Sequence, residues 1–446
     1  MSKNTIYALA SARGQAGVAV VRVSGVRAHE SFRVLSGREK IPLRSAILCK
    51  LKHPVSRETL DNALVLAFEN PKSYTGEDVV EYHLHGGIAV VEGVLSVLAM
   101  QDGHCMAEPG EFTRRAFENG KMDLTEAEAI ADLIHAETQM QKTQALSQMD
   151  GVLTRIYDGW RDELTKILAY VEAELEFPDE DLPDNLLPTI TPKILELSNS
   201  IDLHLNDNRR GERLRNGIHV AIIGAPNAGK SSLVNALVQR DIAIVSDIAG
   251  TTRDVIEAHL DIGGYPVILS DTAGLRPDQI GNEGHESIES EGIKRALRIA
   301  EDADIRVVLY DGTQDTIDPH SYALEGQDNT IALINKADRG VKLQHPDNPL
   351  QISVSSNDGV SEFLDCLTVM IEQLIGRAEA PALTRQRHRD ALTDCRGSLE
   401  RCLNAPLPEL TAEDLRLAIR DLGRITGKVD VEDLLDVVFR DFCIGK

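Results

Sequence analysis

The segment that begins at Gly224 combines glycines, a lysine and a serine at a spacing that suits a phosphate group. It reads Gly224-Ala-Pro-Asn-Ala-Gly229-Lys230-Ser231 and matches the pattern GxxxxGK[ST]. Glycines let backbone N–H groups turn inward around phosphate oxygens, and the amino end of a following helix favours negative charge. In such a loop Lys230 reaches the β- and γ-phosphates and the Ser231 hydroxyl binds Mg²⁺. The sequence therefore predicts a nucleotide phosphate site.

A second motif, Asp271-Thr-Ala-Gly274, follows the apolar run Val267–Leu269. An aspartate at the end of a strand can order Mg²⁺ through water, and a glycine N–H can contact the γ-phosphate. Such a turn is common by itself. Its position downstream of a phosphate loop predicts that it belongs to the same site.

A third motif, Asn335-Lys-Ala-Asp338, follows the apolar run Thr330–Ile334. The Asp338 carboxylate can accept two hydrogen bonds from the guanine edge. Adenine lacks those donors, and charge-assisted bonds of about 1.5–3 kcal/mol each then favour GTP over ATP. Ser353-Val-Ser355 matches the last base-contacting loop of such sites only in part.

The elements that must position these motifs alternate between strand and helix from Ile218 to about residue 375, as a doubly wound parallel sheet requires. Helical spacing dominates residues 124–176 and 194–214 and returns beyond residue 379. Residues 177–192 are rich in prolines and acids, which predicts a loop or a helix break. Residues 1–120 mix short strands with Gly and Pro. We expect an α/β domain inserted into a helical domain, behind an α+β domain.

Composition bounds the class of protein. The chain has 446 residues, 42% hydrophobic residues and a net charge of -24, so any contact with RNA must be local or supplied by a partner. Its six cysteines form no CxxC pair, which predicts neither a zinc cluster nor a disulfide framework. No run approaches the roughly 20 apolar residues of a membrane span. We expect a cytoplasmic protein without a membrane contact.

Several further segments indicate to which protein family the chain is similar. Around the phosphate loop they are Asn227, Gly250-Thr-Thr-Arg-Asp254 and Leu275. Elsewhere they are Tyr74-Thr-Gly-Glu-Asp78, His85-Gly-Gly87, Pro109-Gly-Glu-Phe-Thr113, Ala127–Ile134 and Phe442-Cys-Ile-Gly-Lys446. With these residues the chain resembles, essentially from end to end, the MnmE (TrmE) family of tRNA modification GTPases.

The resemblance implies a multidomain α/β and α+β fold. Residues 1–120 would form an N-terminal tetrahydrofolate-binding domain, and residues 216–376 a Ras-like P-loop GTPase domain. Residues 121–215 and 377–446 would form the two parts of the all-α helical domain into which that GTPase domain is inserted.

The motifs and the resemblance together give the GTP-binding residues. They are Asn227, Ala228, Gly229, Lys230, Ser231, Ser232, Ser246, Asp247, Ile248, Ala249, Gly250, Thr251, Thr252, Asp271, Thr272, Ala273, Gly274, Asn335, Lys336, Ala337 and Asp338. The resemblance implies that Ser231 and Thr252 hold Mg²⁺. It also implies that K⁺, which replaces an arginine finger and joins two GTPase domains of a homodimer, is held by Asn227, Ser246, Ile248 and Thr251.

The residue that orients the attacking water is harder to assign. Leu275 stands where Ras-like enzymes have glutamine, and Leu275 can neither donate nor accept a hydrogen bond. Arg253 and Arg276 are candidate electrophiles. The resemblance implies Glu289 as the catalytic residue beside Lys230, within Glu289-Ser-Glu-Gly-Ile-Lys-Arg295. About six extra residues around Gly281–Glu286 leave three other glutamates as alternatives: Glu283, Glu286 and Glu291.

The N-terminal domain of this family binds a folate such as 5-formyl- or 5,10-methylenetetrahydrofolate. Family positions correspond to Arg22, Glu81, Lys121 and Lys446. An arginine suits a folate carboxylate, and a glutamate suits a pair of pterin N–H groups. Cys443 could act as a reactive thiol or as a small buried hydrophobe.

The resemblance implies a K⁺-stimulated GTPase that modifies C5 of the wobble uridine (U34) in certain tRNAs. The added group is aminomethyl or carboxymethylaminomethyl, and the FAD-dependent partner is MnmG. The alternative is a ribosome-assembly GTPase of the same K⁺-dependent class. A third interpretation is a nucleotide-switched scaffold without modification chemistry.

Overall fold

A computed structural model describes residues 4–176, 187–240, 242–244, 257–271, 299, 301–326, 328–376, 382–429, 432–440, 442 and 444–445. The chain divides into two compact units. The first contains Met1–Ala131, Gln148–Lys166 and Ile419–Lys446, and the second contains Asp132–Ser147 and Ile167–Ala418. The domain boundaries at residues 120, 215 and 376 stay predictions beside this division.

Helices occur along the whole described chain. They are α1 (Ala28–Ser36), α2 (Ile88–Ala99), α3 (Glu111–Glu118), α4 (Leu124–Ile134), α5 (Gln139–Met149), α6 (Val152–Glu176), α7 (Leu187–Leu205), α8 (Arg210–Asn216), α9 (Lys230–Val238), α10 (Pro319–Glu325), α11 (Val360–Ile375), α12 (Gln386–Leu403), α13 (Pro408–Thr426) and α14 (Glu432–Arg440). In the part of the chain that the structure describes, no helix combines the length and the hydropathy needed to cross a membrane.

The first unit is built on a six-stranded sheet. Its strands are β1 (Thr5–Leu9), β2 (Ala16–Ser24), β3 (Ile47–Lys52), β4 (Thr59–Phe68), β5 (Val79–Gly86) and β6 (His104–Met106). They lie in the order β3-β4-β5-β2-β1-β6, and only β1 and β6 are parallel neighbours. This α+β unit agrees with the texture of the first 120 residues.

Helices α1 and α2 cover one face of this sheet. Phe32 of α1 and Val94 of α2 are fully buried with inward-facing strand residues such as Val21. Because side chains alternate along a strand, Arg22 lies on the opposite face. We call this opposite face, which carries Arg22 and Glu81 at paired positions of β2 and β5, the open face.

The second unit contains the other six-stranded sheet. Its strands are β7 (Ile218–Ile223), β8 (Glu257–Ile262), β9 (Tyr265–Asp271), β10 (Ile305–Asp311), β11 (Thr330–Asn335) and β12 (Leu350–Gln351). The order is β12-β11-β10-β7-β9-β8, parallel except for the β8–β9 hairpin. Apolar residues fill both faces of its central strands, and this confirms the predicted α/β architecture.

The helical prediction for residues 194–214 is wrong in its boundaries. The structure has two helices there, α7 and α8, and α7 begins inside the predicted loop at Leu187. A proline in the first turn of a helix removes no hydrogen bond that the helix would make, so Pro188 does not prevent this start. Asn208 and Arg209 have φ of 53° and 54°, in the left-handed region, and this ends the helical path between α7 and α8.

Candidate functional site

The phosphate loop lies between β7 and α9, as its pattern predicts. Close contacts require both of its glycines. A Cβ atom at Gly224 would lie 2.2 Å from the Leu309 carbonyl oxygen, and one at Gly229 would lie 2.2 Å from the Asn335 amide nitrogen. Gly229 also has a φ of 104°, which side chains rarely adopt. The loop is therefore wrapped tightly by the ends of β10 and β11.

Lys230 begins α9 and is 8% exposed. Its ammonium nitrogen lies inside the loop, where it donates to the carbonyl oxygens of Gly224 at 2.8 Å and Ala225 at 3.1 Å. A cation held within a glycine-rich loop at the amino end of a helix is suited to phosphate oxygens. Ser231 and Ser232 follow in the first turn of the same helix.

Asn335 joins the phosphate loop to the loop that follows β12. Its side chain is buried, and its amide nitrogen donates to the Ala228 carbonyl oxygen at 2.8 Å. Its amide oxygen accepts from the Val354 backbone N–H at 3.2 Å. The two bonds hold two separate loops at a fixed distance. The predicted base loop and the predicted phosphate loop are thus held side by side by one side chain.

Asp338 stands beside the segment Ser353–Ser355, which was predicted only from a partial match. The Ser353 hydroxyl donates to the Asp338 carboxylate at 2.7 Å, and the Ser353 and Ser355 hydroxyl oxygens lie 3.1 Å apart. The hydrogen bond from Ser353 lowers the pKa of the Asp338 carboxyl, which is fully exposed. The carboxylate is therefore charged at neutral pH and available as an acceptor.

The motif search missed Asp311. It ends β10 directly opposite Asn335, and its carboxylate accepts from the Lys336 ammonium at 2.7 Å. The Thr313 backbone N–H and hydroxyl donate to the other carboxylate oxygen at 3.0 and 2.7 Å. Burial by itself would raise the pKa of Asp311, but the bonds from Lys336 and Thr313 outweigh it and lower the pKa to about 2.

A signal for Asp311 was present in the sequence. The run Val307–Tyr310 consists of two valines, a leucine and a tyrosine, residues that favour a strand, and an acid followed by glycine ends it. Carboxyl ends of parallel strands meet at one edge of the sheet, so this acid could have been placed beside the nucleotide motifs. The partner of Asp311 could not be inferred, because it depends on the pairing of β10 with β11.

Several predicted residues lie outside the described residues. They are Ser246, Asp247, Ile248, Ala249, Gly250, Thr251, Thr252, Thr272, Ala273, Gly274 and Glu289, the alternatives Glu283, Glu286 and Glu291, the arginines Arg253 and Arg276, and Lys446 and Cys443. Asp271 is placed at the end of β9, where it pairs with Ile222 of β7. It therefore ends the strand next to β7, which leads into the phosphate loop, and its role in the nucleotide site stays a prediction.

In the first unit the structure brings two of the four predicted folate residues together. The Arg22 guanidinium donates to the Glu81 carboxylate at 2.9 Å. It also lies over the ring of Tyr74, at 5.0 Å, and near that of Phe112, at 5.6 Å. Lys121 makes another contact, donating to the Pro71 carbonyl oxygen at 2.9 Å.

The end of the chain lies against the same sheet. Ile444 forms a bridge with Pro109, and a Cβ atom at Gly445 would lie 2.2 Å from the Leu9 carbonyl oxygen. The neighbour of Leu9 in β1, Ala8, pairs with Arg22. The residue before Lys446 is therefore close to the strand that pairs with the Arg22 strand.

One group of His and acidic residues within the described ranges has the spacing of a metal site: Glu325, His345 and Asp347. Hydrogen bonds account for both ring nitrogens of His345. One lies 3.1 Å from the Glu325 carboxylate, and the other accepts from the Asp347 backbone N–H at 3.2 Å. Because protein groups occupy both ring nitrogens, this cluster does not support a metal site.

Comparisons with known proteins agree with the predicted family. The family model described as GTP-binding protein TrmE N-terminus matches residues 5–121, and the MnmE helical domain model matches residues 124–443. The tRNA modification GTPase MnmE of Parvibaculum lavamentivorans is 51% identical over 446 residues, 99% of this chain and 100% of that protein. The protein of the same name from Rhodospirillum rubrum is 49% identical and fully covered.

Among solved structures, the G domain of the T. maritima FeoB iron transporter is 23% identical and covers 36% of this chain and 99% of that chain. Its TM-score of 0.25 is too low to bear on fold or function. The family is shown by the two relatives that are about 50% identical to this chain and align with it from end to end. By that criterion the chain belongs to the MnmE family of tRNA modification GTPases.

Proposed function

We propose that this chain binds GTP with Mg²⁺ in its second unit and hydrolyses it during tRNA modification. The observation that supports this best is the buried Asn335 amide, which ties the phosphate loop to the loop beside Asp338. A carboxylate that reads guanine is useful only if it stands at a fixed distance from the phosphate cradle. Lys230, held within the loop, supplies positive charge to the β- and γ-phosphates.

The modification is the second part of the proposal. Together with an FAD-dependent partner of the MnmG type, the chain would add an aminomethyl or carboxymethylaminomethyl group to C5 of U34. The folate would supply one carbon, and glycine or ammonium the nitrogen. End-to-end similarity to relatives named tRNA modification GTPases favours this reaction over ribosome assembly.

The metal ions have donors of the right chemistry. The Ser231 hydroxyl in the first turn of α9, with Thr252, would hold Mg²⁺, which neutralises phosphate charge. Asn227, with Ser246, Ile248 and Thr251, would hold K⁺, which supplies the charge of an arginine finger. Asn227 is exposed, has a φ of 65°, and makes no side-chain hydrogen bond that the described residues show. Its amide oxygen is therefore available to a cation.

The open face of the first unit suits the proposed folate, 5-formyl- or 5,10-methylenetetrahydrofolate. Arg22 and Glu81 present a guanidinium and a carboxylate beside two aromatic rings. The Tyr74 ring, which is only partly buried, can stack on a pterin, whereas the Phe112 ring is fully buried and lies near Arg22. The charged groups can pair with the pterin donors or with a glutamate tail. Burial raises the pKa of Tyr74, so that its hydroxyl stays neutral.

The base selection is tested by Asp338→Asn. Xanthine carries an acceptor at C2 where guanine carries an amino donor, and an amide can donate to it while a carboxylate cannot. We expect GTP affinity to fall by at least 100-fold and XTP affinity to rise, measured by equilibrium binding with Mg²⁺. Retention of full GTP preference, or a wild-type preference for ATP, would refute the guanine site.

The modification is tested by mass spectrometry of wobble uridines. A strain without this gene should lose the C5 group, and the wild-type gene should restore it. Unchanged U34 in the deletion strain would exclude the proposed reaction and leave the GTP site untouched. A purified chain carrying stoichiometric flavin would contradict the assignment of FAD to the partner.

A further inference from the structure

The chain is strongly acidic, but its charge is uneven. Residues 33–72 contain eight Lys and Arg against four Asp and Glu, whereas the whole chain has a net charge of -24. This basic stretch includes β3, an edge strand of the first sheet, and the hairpin that joins it to β4. The sign of the local charge is therefore opposite to that of the molecule.

The structure places four of these side chains along one edge. Cys49 and Leu51 of β3 are buried in the core that lies under α1. Lys50 and Lys52 alternate with them, so they lie on the open face, and both are exposed. Arg57 is exposed in the adjoining hairpin. At the other end, the Arg44 guanidinium lies 5.9 Å from the ring centroid of Phe68. We call Arg44, Lys50, Lys52 and Arg57 the β3 basic strip.

The strip is not neutralised by its neighbours. Within the described residues, none of its four side chains forms an ion pair, and the Arg44 guanidinium donates to the Lys72 carbonyl oxygen. The nearby acid Asp61 is committed to the backbone N–H and ring of His85. Glu58 is exposed, and within the ranges that the structure describes it forms no ion pair with Arg57. Cations left unpaired in an acidic chain suit an anionic partner.

The position of the strip selects among anionic partners. Leu48 of β3 pairs with Leu64, which pairs with His83, which pairs with Val20 of β2. Three strand spacings separate β3 from the Arg22 strand, about 14 Å in total. The strip and the proposed folate pair thus share one face of one sheet. A polyanion on the strip would lie beside the proposed carbon donor, as a tRNA substrate must.

We propose that the β3 basic strip binds the phosphate backbone of the tRNA substrate. This inference rests on the proposed function. Contacts of this kind work at short range, where release of counterions from phosphates outweighs the repulsion by a distant net charge that salt screens beyond about 8–10 Å. Lys50 and Lys52 stand about 7 Å apart on the same face, a spacing that lets two side chains contact separate phosphates.

The test compares two triple variants of the full chain. The strip variant is Lys50→Gln, Lys52→Gln and Arg57→Gln. The control is Lys142→Gln, Lys166→Gln and Lys193→Gln, three exposed helical lysines that form no ion pair with any described residue. Both change the net charge equally. Fluorescence anisotropy with labelled tRNA is measured over 50–200 mM salt, a range of about fourfold.

We expect the strip variant to bind tRNA at least about tenfold more weakly at 100 mM salt, with a log K against log salt slope shallower by about 2 to 3. The control should behave like the wild type. Equal loss in both variants, or loss in neither, would overturn the proposal, as would a wild type that prefers anionic vesicles to tRNA. A strip variant that aggregates but keeps its tRNA affinity would also overturn the proposal. In that case the lysines of this edge strand serve only to prevent pairing with another sheet.

Failure of the strip and failure of the proposed function are separable. Basal GTP hydrolysis is measured for the strip variant without tRNA and should equal that of the wild type. If the wild-type gene restores the C5 group of U34 in the deletion strain, the proposed function is supported. If the strip variant also restores this group fully, tRNA binding by the β3 basic strip is contradicted and the proposed function is not.

Discussion

At the scale of single residues, the nucleotide site depends on side chains that fix other side chains. Asn335 does not have to touch GTP in order to matter, because its two hydrogen bonds set the distance between two loops. Asp311 has the same role for Lys336. Lys336 has a φ of 65°, so its backbone is held in an uncommon conformation and its side chain is fixed at the far end.

Asp311→Asn should weaken nucleotide binding without changing the chemistry. Removal of the charged pair leaves the Lys336 ammonium unfixed at a cost of about 1–2 kcal/mol, which corresponds to roughly a 5- to 30-fold higher Kd for GDP. Stopped-flow release of a fluorescent GDP should be faster, and kcat at saturating GTP should be unchanged. Asp315→Asn, at an exposed acid nearby, is the control. A lower kcat with unchanged Kd would contradict this role.

Gly229→Ala should abolish nucleotide binding and leave the fold of the second unit intact. The added Cβ atom would overlap the Asn335 amide nitrogen at a φ of 104°, so the loop must move away from β11. We expect at least a 100-fold loss of GTP affinity with little change in circular dichroism. Gly326→Ala, where a Cβ atom meets open space, should bind GTP normally. Wild-type affinity in Gly229→Ala would show that the loop geometry is not required.

At the scale of elements, ion pairs and a short connection fix α8 beside the sheet of the second unit. The helix α8 leads directly into β7, and three of its side chains are paired: Arg213 with Asp304, Arg215 with Asp132, and Glu212 with Arg389. Arg389 also pairs with Asp207 in the turn between α7 and α8. A movement of α8 would therefore displace the start of β7, the strand that leads into the phosphate loop.

The helix α7 should make stability depend on pH through His204. Burial lowers the pKa of His204 to about 4, below the usual value of 6.5, although Asp207 opposes the shift. Between pH 6.5 and 4 the unfolded chain binds a proton that the folded chain does not, so stability falls as the pH is lowered. Thermal unfolding of His204→Gln should depend less on pH in this window. His320→Gln, an exposed control, should follow the wild type, and an identical pH dependence in all three proteins would refute the assignment.

At the scale of the whole molecule, an acidic protein has to bind two anionic ligands. GTP and the proposed tRNA both carry phosphates, and the net charge of -24 opposes each at long range. Local arrangements must compensate, through the phosphate loop in one unit and the β3 basic strip in the other. Such an arrangement favours binding that is selective in place and sensitive to salt.

The proposed K⁺ site predicts that GTP hydrolysis depends on the monovalent cation and on the proposed pairing of two chains. An arginine finger raises GTPase rates by about 10³–10⁵, and K⁺ in the same position should raise kcat at least tenfold over Na⁺ at equal ionic strength. Asn227→Ala should remove that difference, and the rate per chain should rise with protein concentration if two GTPase domains must meet. Equal rates in Na⁺ and K⁺ would refute K⁺ stimulation.

The sequence alone determined the nucleotide motifs, the strands before them and the family. These are local features, because each motif needs only a few neighbouring residues and the end of one strand. The phosphate loop, β7, β9 and β11 lie where the spacing predicts, and only the limits of α7 and α8 were wrong. Prolines and polar residues near helix ends left those limits ambiguous.

Only the tertiary structure decided which distant residues meet. The pairs Lys336 with Asp311, Asp338 with Ser353, and Arg22 with Glu81 join separate segments. Each depends on strand order and register, and a shift of one residue would turn the side chains to the other face of the sheet. The same holds for the β3 basic strip, since its charges gather only when an edge strand fixes their common direction.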